Sequence, residues 1–408
     1  MKIALLHYSA PPIVGGVESV IGHHACLMAD AGHEVRIVAG RGAQTDGRVK
    51  FIRVPMMDSR HAVVEAAKKE LDRGHIPKDF AELVRRLGIQ LGEVISDADC
   101  LIAHNVASLN KNLILTAALK EISERLKHLQ VILWHHDLAW TTPRYREELH
   151  DGYPWELLRQ AWGGVEQVTI SSFRRLELAD LMHIAEEKIW VIPNGVDIPR
   201  FLKFEKLTTD FINRLHLLDA WPIVLLPVRI TPRKNIELAI QVLDVLRRTY
   251  PHARLVVTGP LGPHNPANAD YFKKLTALRS SLGLEESASF LAELTDEYLP
   301  DEVISDFYHL ADVLFMPSRE EGFGIPVLEA GLAGIPAFCA DIPPLRDLGE
   351  SFVRYFALDD TPGQIASGIV ETLSTDRVLT GRVQVRTHFS WQKIYQDQIE
   401  RLLGKGKT

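Results

Sequence analysis

The chain has 408 residues, of which 46% are hydrophobic and 24% are charged, and its formal net charge is −7. These values are typical of a globular protein with two or three domains. They argue against a protein that binds nucleic acid regardless of sequence, because such proteins carry a basic surface.

The three cysteines, Cys26, Cys100 and Cys339, are far apart in the sequence. They have no metal-site spacing and form an unlikely disulfide framework, so the sequence predicts a reducing compartment. The N-terminal apolar run is too short for a signal peptide, and no run reaches the length of a transmembrane segment. We therefore expect a cytoplasmic protein, with peripheral contact at the inner membrane face left open.

The first half of the chain alternates apolar runs with amphipathic stretches, as expected for buried parallel strands and helices. A helix is predicted over residues 18–31, and residues 60–95 have a charged, helical pattern. The predicted strands are KIALLHY, HEVRIVAG, KFIRVPM, DCLIAHN, QVILWHH, EQVTISS and KIWVIPNGVD.

The same alternation begins again near residue 221. The predicted strands of this half are WPIVLLPVR, ARLVVTGP, ASFLAEL, ADVLFMPS and IPAFCAD. The sequence therefore predicts an α/β fold with two doubly wound, Rossmann-like domains. We place the limits at residues 1–198 and 199–385, followed by a terminal helix at 386–408.

The stretch SREEGFGIPVLEAGLAGIP, residues 318–336, follows a predicted strand, where α/β proteins bind ligands. Gly322 and Gly324 allow close backbone approach, and a helix predicted over 326–333 offers free N–H groups to phosphate. Glu329 is placed to reach a sugar hydroxyl such as a ribose diol. The competing interpretation is a loop-to-helix turn with solvated acids.

Two further loops carry residues suited to phosphate. In LLPVRITPRKNIELAI, Arg229 and Lys234 follow a strand that is predicted to end at Val228, and Asn235 is a plausible helix N-cap. Two cations there form a possible diphosphate clamp, although solvated loop residues are equally plausible. Gly15 and Gly16 follow the first strand, but they fit neither G-x-G-x-x-G nor a Walker lysine motif, which argues against nicotinamide or ATP.

Another predicted strand ends at His135, His136 and Asp137. Metal binding is conceivable, but no further ligand spacing appears. A hydrogen bond to a sugar is the favoured interpretation, and a purely structural histidine is the alternative.

These motifs resemble retaining glycosyltransferase family 4. EGFGIPVLEA matches its E-x7-E motif, RITPRK its R-x4-K element, PNGVD its interdomain motif, PPIVGGVES its glycine loop and HHDL its strand-end His-Asp. The resemblance spans essentially the whole chain. It implies the GT-B fold, with two domains facing across a cleft, an acceptor-side first domain and a terminal helix that crosses back to it. It also implies a nucleotide-sugar donor as substrate, with no required metal or cofactor, and a role in carbohydrate biosynthesis.

The resemblance assigns roles residue by residue. The residues implied in catalysis are Glu321, His136, Arg229 and Lys234, the last two holding the donor diphosphate. The residues implied in donor binding are Gly15, Gly16, Asn194, Arg229, Lys234, Leu291, Glu321, Gly322, Phe323, Gly324, Ile325 and Glu329. Two features depart from the family: Asn235 stands where glycine is common, and the loop VVTGPLGPHNPAN replaces a shorter one.

The predicted activity is retaining hexosyl transfer from UDP-glucose or GDP-mannose to a hydroxyl acceptor, with a slight preference for UDP-glucose on family frequency alone. Alternatives are a glycoside hydrolase, a nucleotide-sugar epimerase or a non-catalytic binder. A small sugar-like or anionic acceptor is favoured over a lipid, because an aromatic and arginine cluster follows the His-Asp strand. This cluster consists of Trp140, Arg144, Tyr145 and Arg146. The competing interpretation is the start of a surface helix.

Overall fold

The computed structural model describes residues 1–261, 266–295 and 297–404. The chain divides into two compact units, and each is described by itself. The N-terminal unit contains Met1–Gly195 and the segment that begins at Trp391, whereas the C-terminal unit is Val196–Ser390. The unit boundaries thus follow residues 195 and 390, whereas the sequence analysis placed limits after 198 and 385.

A seven-stranded parallel sheet forms the centre of the N-terminal unit, in the order β3-β2-β1-β4-β5-β6-β7. Its strands are β1 (Lys2–Ser9), β2 (Glu34–Arg41), β3 (Val49–Arg53), β4 (Cys100–His104), β5 (Gln130–His135), β6 (Val165–Thr169) and β7 (Ile189–Val191). Ile3 to Leu6 are completely buried in the central strand, because helices cover both faces of a parallel sheet.

The helices of this unit are α1 (Gly16–Asp30), α2 (Ala62–Leu71), α3 (Phe80–Ile95), α4 (Leu113–Arg125) and α5 (Ser172–Met182). Helix α3 shows why they form: Leu83, Leu87 and Leu91 recur at intervals of four and bury one face. Helix α1 begins two residues before its predicted start.

The C-terminal unit contains a six-stranded parallel sheet in the order β10-β9-β8-β11-β12-β13. Its strands are β8 (Ile223–Leu226), β9 (Arg254–Val257), β10 (Ala288–Phe290), β11 (Val313–Met316), β12 (Ala337–Ala340) and β13 (Val353–Phe356). The sequence analysis missed β13, because this short edge strand has only two buried residues. Together, the two sheets confirm the predicted doubly wound, Rossmann-like architecture.

The helices of this unit are α6 (Ile198–Leu202), α7 (Lys206–Arg214), α8 (Ile236–Thr249), α9 (Pro266–Ser281), α10 (Asp301–Leu310), α11 (Ile325–Ala333), α12 (Pro343–Gly349), α13 (Pro362–Thr375) and α14 (Arg377–His388). Helix α11 ends at Gly334, which adopts a left-handed φ of 69°. The loop after β9, noted above as a departure, contains residues 262–265, which lie outside the described residues.

The segment after Ser390 is helical and belongs to the N-terminal unit. It contains α15 (Trp391–Ile394), a π-helical turn at Tyr395–Ile399 and α16 (Glu400–Gly404). Trp391, Ile394 and Leu402 are buried in the same apolar cluster as Ile3 and Leu5 of β1. No helix among the described residues is long and apolar enough to span a membrane.

Candidate functional site

Each sheet has one point at which the strand order reverses. In the N-terminal unit this point lies between β1 and β4, and in the C-terminal unit between β8 and β11. Open α/β sheets bind ligands at the carboxyl ends of such strands, where the outgoing loops separate. The two reversal points therefore define one candidate site in each unit.

Lys234 and Glu321 meet at the reversal point of the C-terminal unit. Lys234 ends a 3-10 turn after β8 (Pro232–Lys234), and Glu321 lies in the loop after β11. The Lys234 Nζ atom lies 2.6 Å from Oε1 of Glu321, and the side chains are only 10% and 8% exposed. A nearly buried ammonium and carboxylate, held together at a strand end, offer a strong local field for a charged substrate.

Arg319 joins the same two loops a second time. Its backbone N–H donates to the carbonyl of Arg233 at 2.8 Å, and its guanidinium donates to Oδ1 of Asn235 at 3.0 Å. Glu237 accepts a longer contact of 3.5 Å from the same guanidinium. The loops after β8 and β11 are thus fixed to each other on both sides of the Lys234–Glu321 pair.

The structure corrects two local predictions here. Asn235 occupies the cap position of α8, but its left-handed backbone (φ 53°) turns its side chain toward Arg319 rather than the helix N–H groups. Asparagine tolerates this conformation, which explains how it stands where glycine is common. Strand β8 ends at Leu226, earlier than predicted, because the Val228 N–H turns back to the Leu226 carbonyl.

Arg229 lies in the same loop as Lys234, with an exposed side chain. Its backbone is held against the loop after β9, since the neighbouring Ile230 N–H donates to the Pro260 carbonyl at 3.0 Å. Among the described residues, its guanidinium has no hydrogen-bond or ion-pair partner. It is therefore available to an anion.

The N-terminus of α11 presents an open backbone. Gly324 has a left-handed φ of 105°, and a Cβ there would lie 2.6 Å from Leu345, so only glycine fits. A Cβ at Gly322 would meet nothing within 4 Å, which leaves open space above this residue. Phe323 and Ile325 are exposed. These features suit a ligand that approaches the free N–H groups of the helix start.

Glu329, in the middle of α11, lines a groove of about 440 Å³. Residues of α10 form its other wall, including Tyr308, whose pKa is raised by burial and by the neighbouring Glu329 carboxylate. The sequence analysis missed Tyr308. Leu291, predicted to lie near the base of the nucleotide, begins a 3-10 turn after β10 and is completely buried, and its carbonyl already accepts the backbone N–H of Leu294 at 2.9 Å.

In the N-terminal unit, the glycine loop leads from β1 into α1. A Cβ at Gly16 would meet nothing within 4 Å, so packing gives no reason for glycine there. A Cβ at Gly15 would collide with the Glu18 side chain, which accepts a hydrogen bond of 2.5 Å from Ser9. The loop thus leaves free space at the start of a fifteen-residue helix.

His136 lies directly after β5 and is 6% exposed. Its backbone N–H donates to Oδ1 of Asn105 at 2.7 Å, and its ring Nε2 lies 3.1 Å from Nδ1 of His104. Burial, followed by the neighbouring histidines His7 and His135, lowers the pKa of His136 to about 3. His136 is therefore a neutral imidazole near pH 7, suited to hydrogen bonding rather than charge pairing.

The other residues of this strand end differ in role. His135 is 1% exposed and its Nε2 contacts Oε1 of Gln167 at 2.7 Å, which makes it part of the core. The backbone N–H of Asp137 also donates to Oδ1 of Asn105, and the Asp137 carboxylate lies 3.9 Å from the Arg174 guanidinium. Among the described residues, no cluster of three or more His, Cys, Asp or Glu could hold a metal ion.

Asn194 is exposed just before the unit boundary. The neighbouring Gly195 is the more constrained residue, because a Cβ there would lie 2.7 Å from the Trp391 ring. The motif PNGVD therefore needs its glycine for packing within the N-terminal unit.

The predicted acceptor cluster is only partly open. Arg159 covers the Trp140 ring at 4.1 Å, and the indole N–H donates to the Trp155 carbonyl. Arg144 stacks over Tyr145 at 4.7 Å, while Arg144 and Arg146 are exposed. Trp140 thus packs inside its own unit, whereas Arg144 and Arg146 lie at the surface.

Comparison with known proteins identifies the family of the chain. The model for Glycosyltransferase Family 4 matches residues 14–200, and the model for Glycosyl transferases group 1 matches residues 211–380. Mannosylglucosylglycerate synthase of Thermotoga maritima is 24% identical over 436 residues, covering 100% of this chain and 96% of that protein. A GDP-mannose-dependent alpha-(1-6)-phosphatidylinositol monomannoside mannosyltransferase of Mycobacterium tuberculosis is 30% identical over 252 residues, covering 58% and 62%.

A solved structure, Anabaena HepE in complex with UDP and glucose, is also similar. It is 18% identical, covers 99% of this chain and 100% of its own, and has a TM-score of 0.36. The two family models together account for most of both units, and the motifs quoted above lie within or beside them. The chain therefore belongs to glycosyltransferase family 4 and is a glycosyltransferase.

Proposed function

We propose that the protein is a retaining hexosyltransferase that moves a hexose from a nucleotide-sugar to a hydroxyl acceptor without a metal ion. The observation that carries this proposal is the nearly buried Lys234–Glu321 pair at the reversal point of the C-terminal sheet. A glycoside hydrolase has no need of a cation in contact with its carboxylate and a second cation, Arg229, free in the same loop.

The candidate site of each unit has its own part in the reaction. Arg229 and Lys234 bind the donor diphosphate and stabilise the negative charge that grows on it as the glycosidic bond breaks. Glu321 and the backbone of Gly322 to Ile325 hold the donor sugar, while Glu329 accepts hydrogen bonds from the ribose. In the N-terminal unit, the free space at Gly16, next to Gly15, accepts phosphate, and His136 contacts the sugar near its reacting carbon.

The chemical step needs no protein nucleophile. The acceptor oxygen bonds to the anomeric carbon on the face from which the diphosphate leaves, and the carbon–oxygen bond to the diphosphate breaks. The acceptor proton passes to the departing phosphate, which acts as the base. The anomeric configuration is therefore retained.

The names of the relatives narrow the choice of donor and acceptor to test. One relative is named for a mannosylated glucosylglycerate and another for its dependence on GDP-mannose. GDP-mannose is therefore the first donor to test, ahead of UDP-glucose. A small carboxylate acceptor suits the exposed Arg144 and Arg146, whereas the mycobacterial relative is named for a phosphatidylinositol acceptor, so a lipid is the second acceptor class.

The test is release of nucleoside diphosphate from GDP-mannose or UDP-glucose, with and without glucosylglycerate, glycerate or a phosphatidylinositol mannoside, and with EDTA present. Release that depends on an acceptor, with retained configuration by NMR of the product, supports the proposal. Conversion of the donor without any acceptor would favour an epimerase or a hydrolase. Nucleotide binding without turnover would favour a non-catalytic binder.

A further inference from the structure

A histidine that the proposed reaction does not use lies at the reversal point of the N-terminal sheet. His104 is the last residue of β4 and is completely buried. Its Nδ1 lies 3.1 Å from Nε2 of His136, and its carbonyl lies 2.7 Å from Nδ1 of His7. His104 therefore contacts the residue that we place against the donor sugar.

Both partners of this contact are neutral near pH 7. Burial, followed by nearby histidines, lowers the pKa of His104 well below its usual range and that of His136 to about 3. Two neutral imidazoles can share only one proton across the contact, so one ring donates and the other accepts. In either direction Nε2 of His136 is engaged by His104, so the direction of this hydrogen bond fixes whether the remaining nitrogen, Nδ1, carries a proton or a lone pair toward the substrate.

The second nitrogen of His104 decides the direction. Its Nε2 is buried and has no hydrogen-bond partner among the described residues. The centroids of the adjacent His24 and Trp134 rings lie 5.4 Å and 5.5 Å from that of His104, and neither ring hydrogen-bonds to Nε2 among the described residues. A proton on Nε2 would leave a buried N–H unpaired, which native proteins avoid more strongly than an unpaired acceptor. The proton of His104 therefore belongs on Nδ1.

We propose that His104 donates its Nδ1 proton to Nε2 of His136 and so holds His136 in the tautomer whose proton is on Nδ1. His136 then offers an N–H donor, rather than a lone pair, to an oxygen of the donor sugar. This role rests on the proposed function of His136. His104 itself is a positioning residue that acts through its neighbour.

The surrounding histidines are neutral near pH 7 and keep this arrangement unchanged there. The titratable groups around the pair are His7, His24 and His135, and burial lowers the pKa of each to about 4 or below. Asn105 fixes the backbone of His136 independently, because its Oδ1 accepts from the His136 N–H. Loss of His104 therefore frees the ring of His136 without releasing its backbone.

The direct test is two-bond proton–nitrogen NMR on the full chain with ¹⁵N-histidine at pH 7.5, with His136 assigned by its loss in His136→Gln. We expect a protonated Nδ1 and a bare Nε2 on His136. A protonated Nε2 would overturn the proposal. This readout needs no turnover, so it stands even if the proposed transfer reaction fails.

Variants add a second test. In His104→Phe, we expect His136 to lose its single tautomer and kcat to fall about tenfold with little change in the donor KM, as for one lost hydrogen bond. His104→Gln, which keeps an N–H donor, should recover part of kcat. His24→Phe removes an equally buried histidine and should leave kcat unchanged. If His104→Phe folds and leaves both the tautomer of His136 and kcat unchanged, the proposal is contradicted. If His104→Phe does not fold, the tautomer and kcat of His104→Gln, together with the wild-type spectrum, test the proposal instead.

Discussion

The Lys234 ammonium and the Glu321 carboxylate are 2.6 Å apart, although 87 residues separate them along the chain. They meet because β8 and β11 are neighbours in the sheet, so the loops that follow these strands leave it side by side. Arg319 then ties the loop after β11 to Asn235 in the loop after β8. The pair is a consequence of strand order, and several properties of the protein depend on it.

Lys234→Ala and Arg229→Ala should each lower turnover at least ~100-fold, the effect typical of losing one preorganised charge partner. In the proposed mechanism, both cations stabilise charge on the departing diphosphate. Steady-state kinetics with the donor that proves active would measure this. Arg248→Ala is the matched control, because Arg248 is an exposed arginine of the same unit that pairs with Asp244 within α8. Near-normal turnover in either clamp variant would refute the clamp.

Lys234→Met alone should destabilise the protein by about 3 kcal/mol, because it leaves the Glu321 carboxylate buried without its partner. The double variant Lys234→Met, Glu321→Gln should recover most of this loss, since no unpaired charge remains. Urea unfolding of the two variants and the wild type measures the difference. Equal instability of the single and double variants would show that the pair is not electrostatically coupled.

Glu329→Gln should weaken nucleotide binding by about 10- to 100-fold, the loss expected when a charged hydrogen-bond acceptor becomes neutral. The substitution keeps the shape of the groove between α10 and α11. Isothermal titration calorimetry with the free nucleoside diphosphate measures the affinity. Glu371→Gln, at an exposed position on α13, is the control. Unchanged affinity in Glu329→Gln would remove the ribose role.

Gly195→Ala should lower the free energy of unfolding by about 1–3 kcal/mol, because the new methyl group would overlap the Trp391 ring. Gly163→Ala is the matched control, since a Cβ there meets nothing within 4 Å. Thermal and urea unfolding of both variants give the comparison. If the two substitutions had the same small effect, the contact between Gly195 and Trp391 would be looser than the structure indicates.

Stability should fall as the pH drops from about 6.5 toward 3. Burial lowers the pKa of His7 and His135 to about 4. It also lowers the pKa of His24 and His136 to about 3. The unfolded chain binds protons on these residues at about pH 6.5, so acid favours unfolding, by up to about 1.4 kcal/mol per pH unit for each histidine. His24→Phe should reduce the slope of stability against pH, and an identical slope would contradict this origin.

Periodicity alone predicted most of the fold. Twelve of the described strands were visible as apolar runs, because parallel strands buried on both faces leave a continuous pattern in the sequence. Helix α11 was also predictable, since Pro326 marks its first turn and Gly334 its end. Strand β13 was not predicted, because an edge strand with only two buried residues has no such pattern.

The sequence by itself also determined which loops are predicted to carry the chemistry, because glycine, charge and a helix start occur together there in a few consecutive residues. Only the tertiary structure decided which of these residues meet. The ion pair of Lys234 depends on the strand order, and the contact of His104 with His136 depends on β4 and β5 ending side by side. The hydrogen bond from Arg319 to Asn235 depends on the left-handed backbone of Asn235 and joins residues that are 84 positions apart. Local patterns record burial and turns, whereas contacts between distant loops arise only when the sheet brings their strands together.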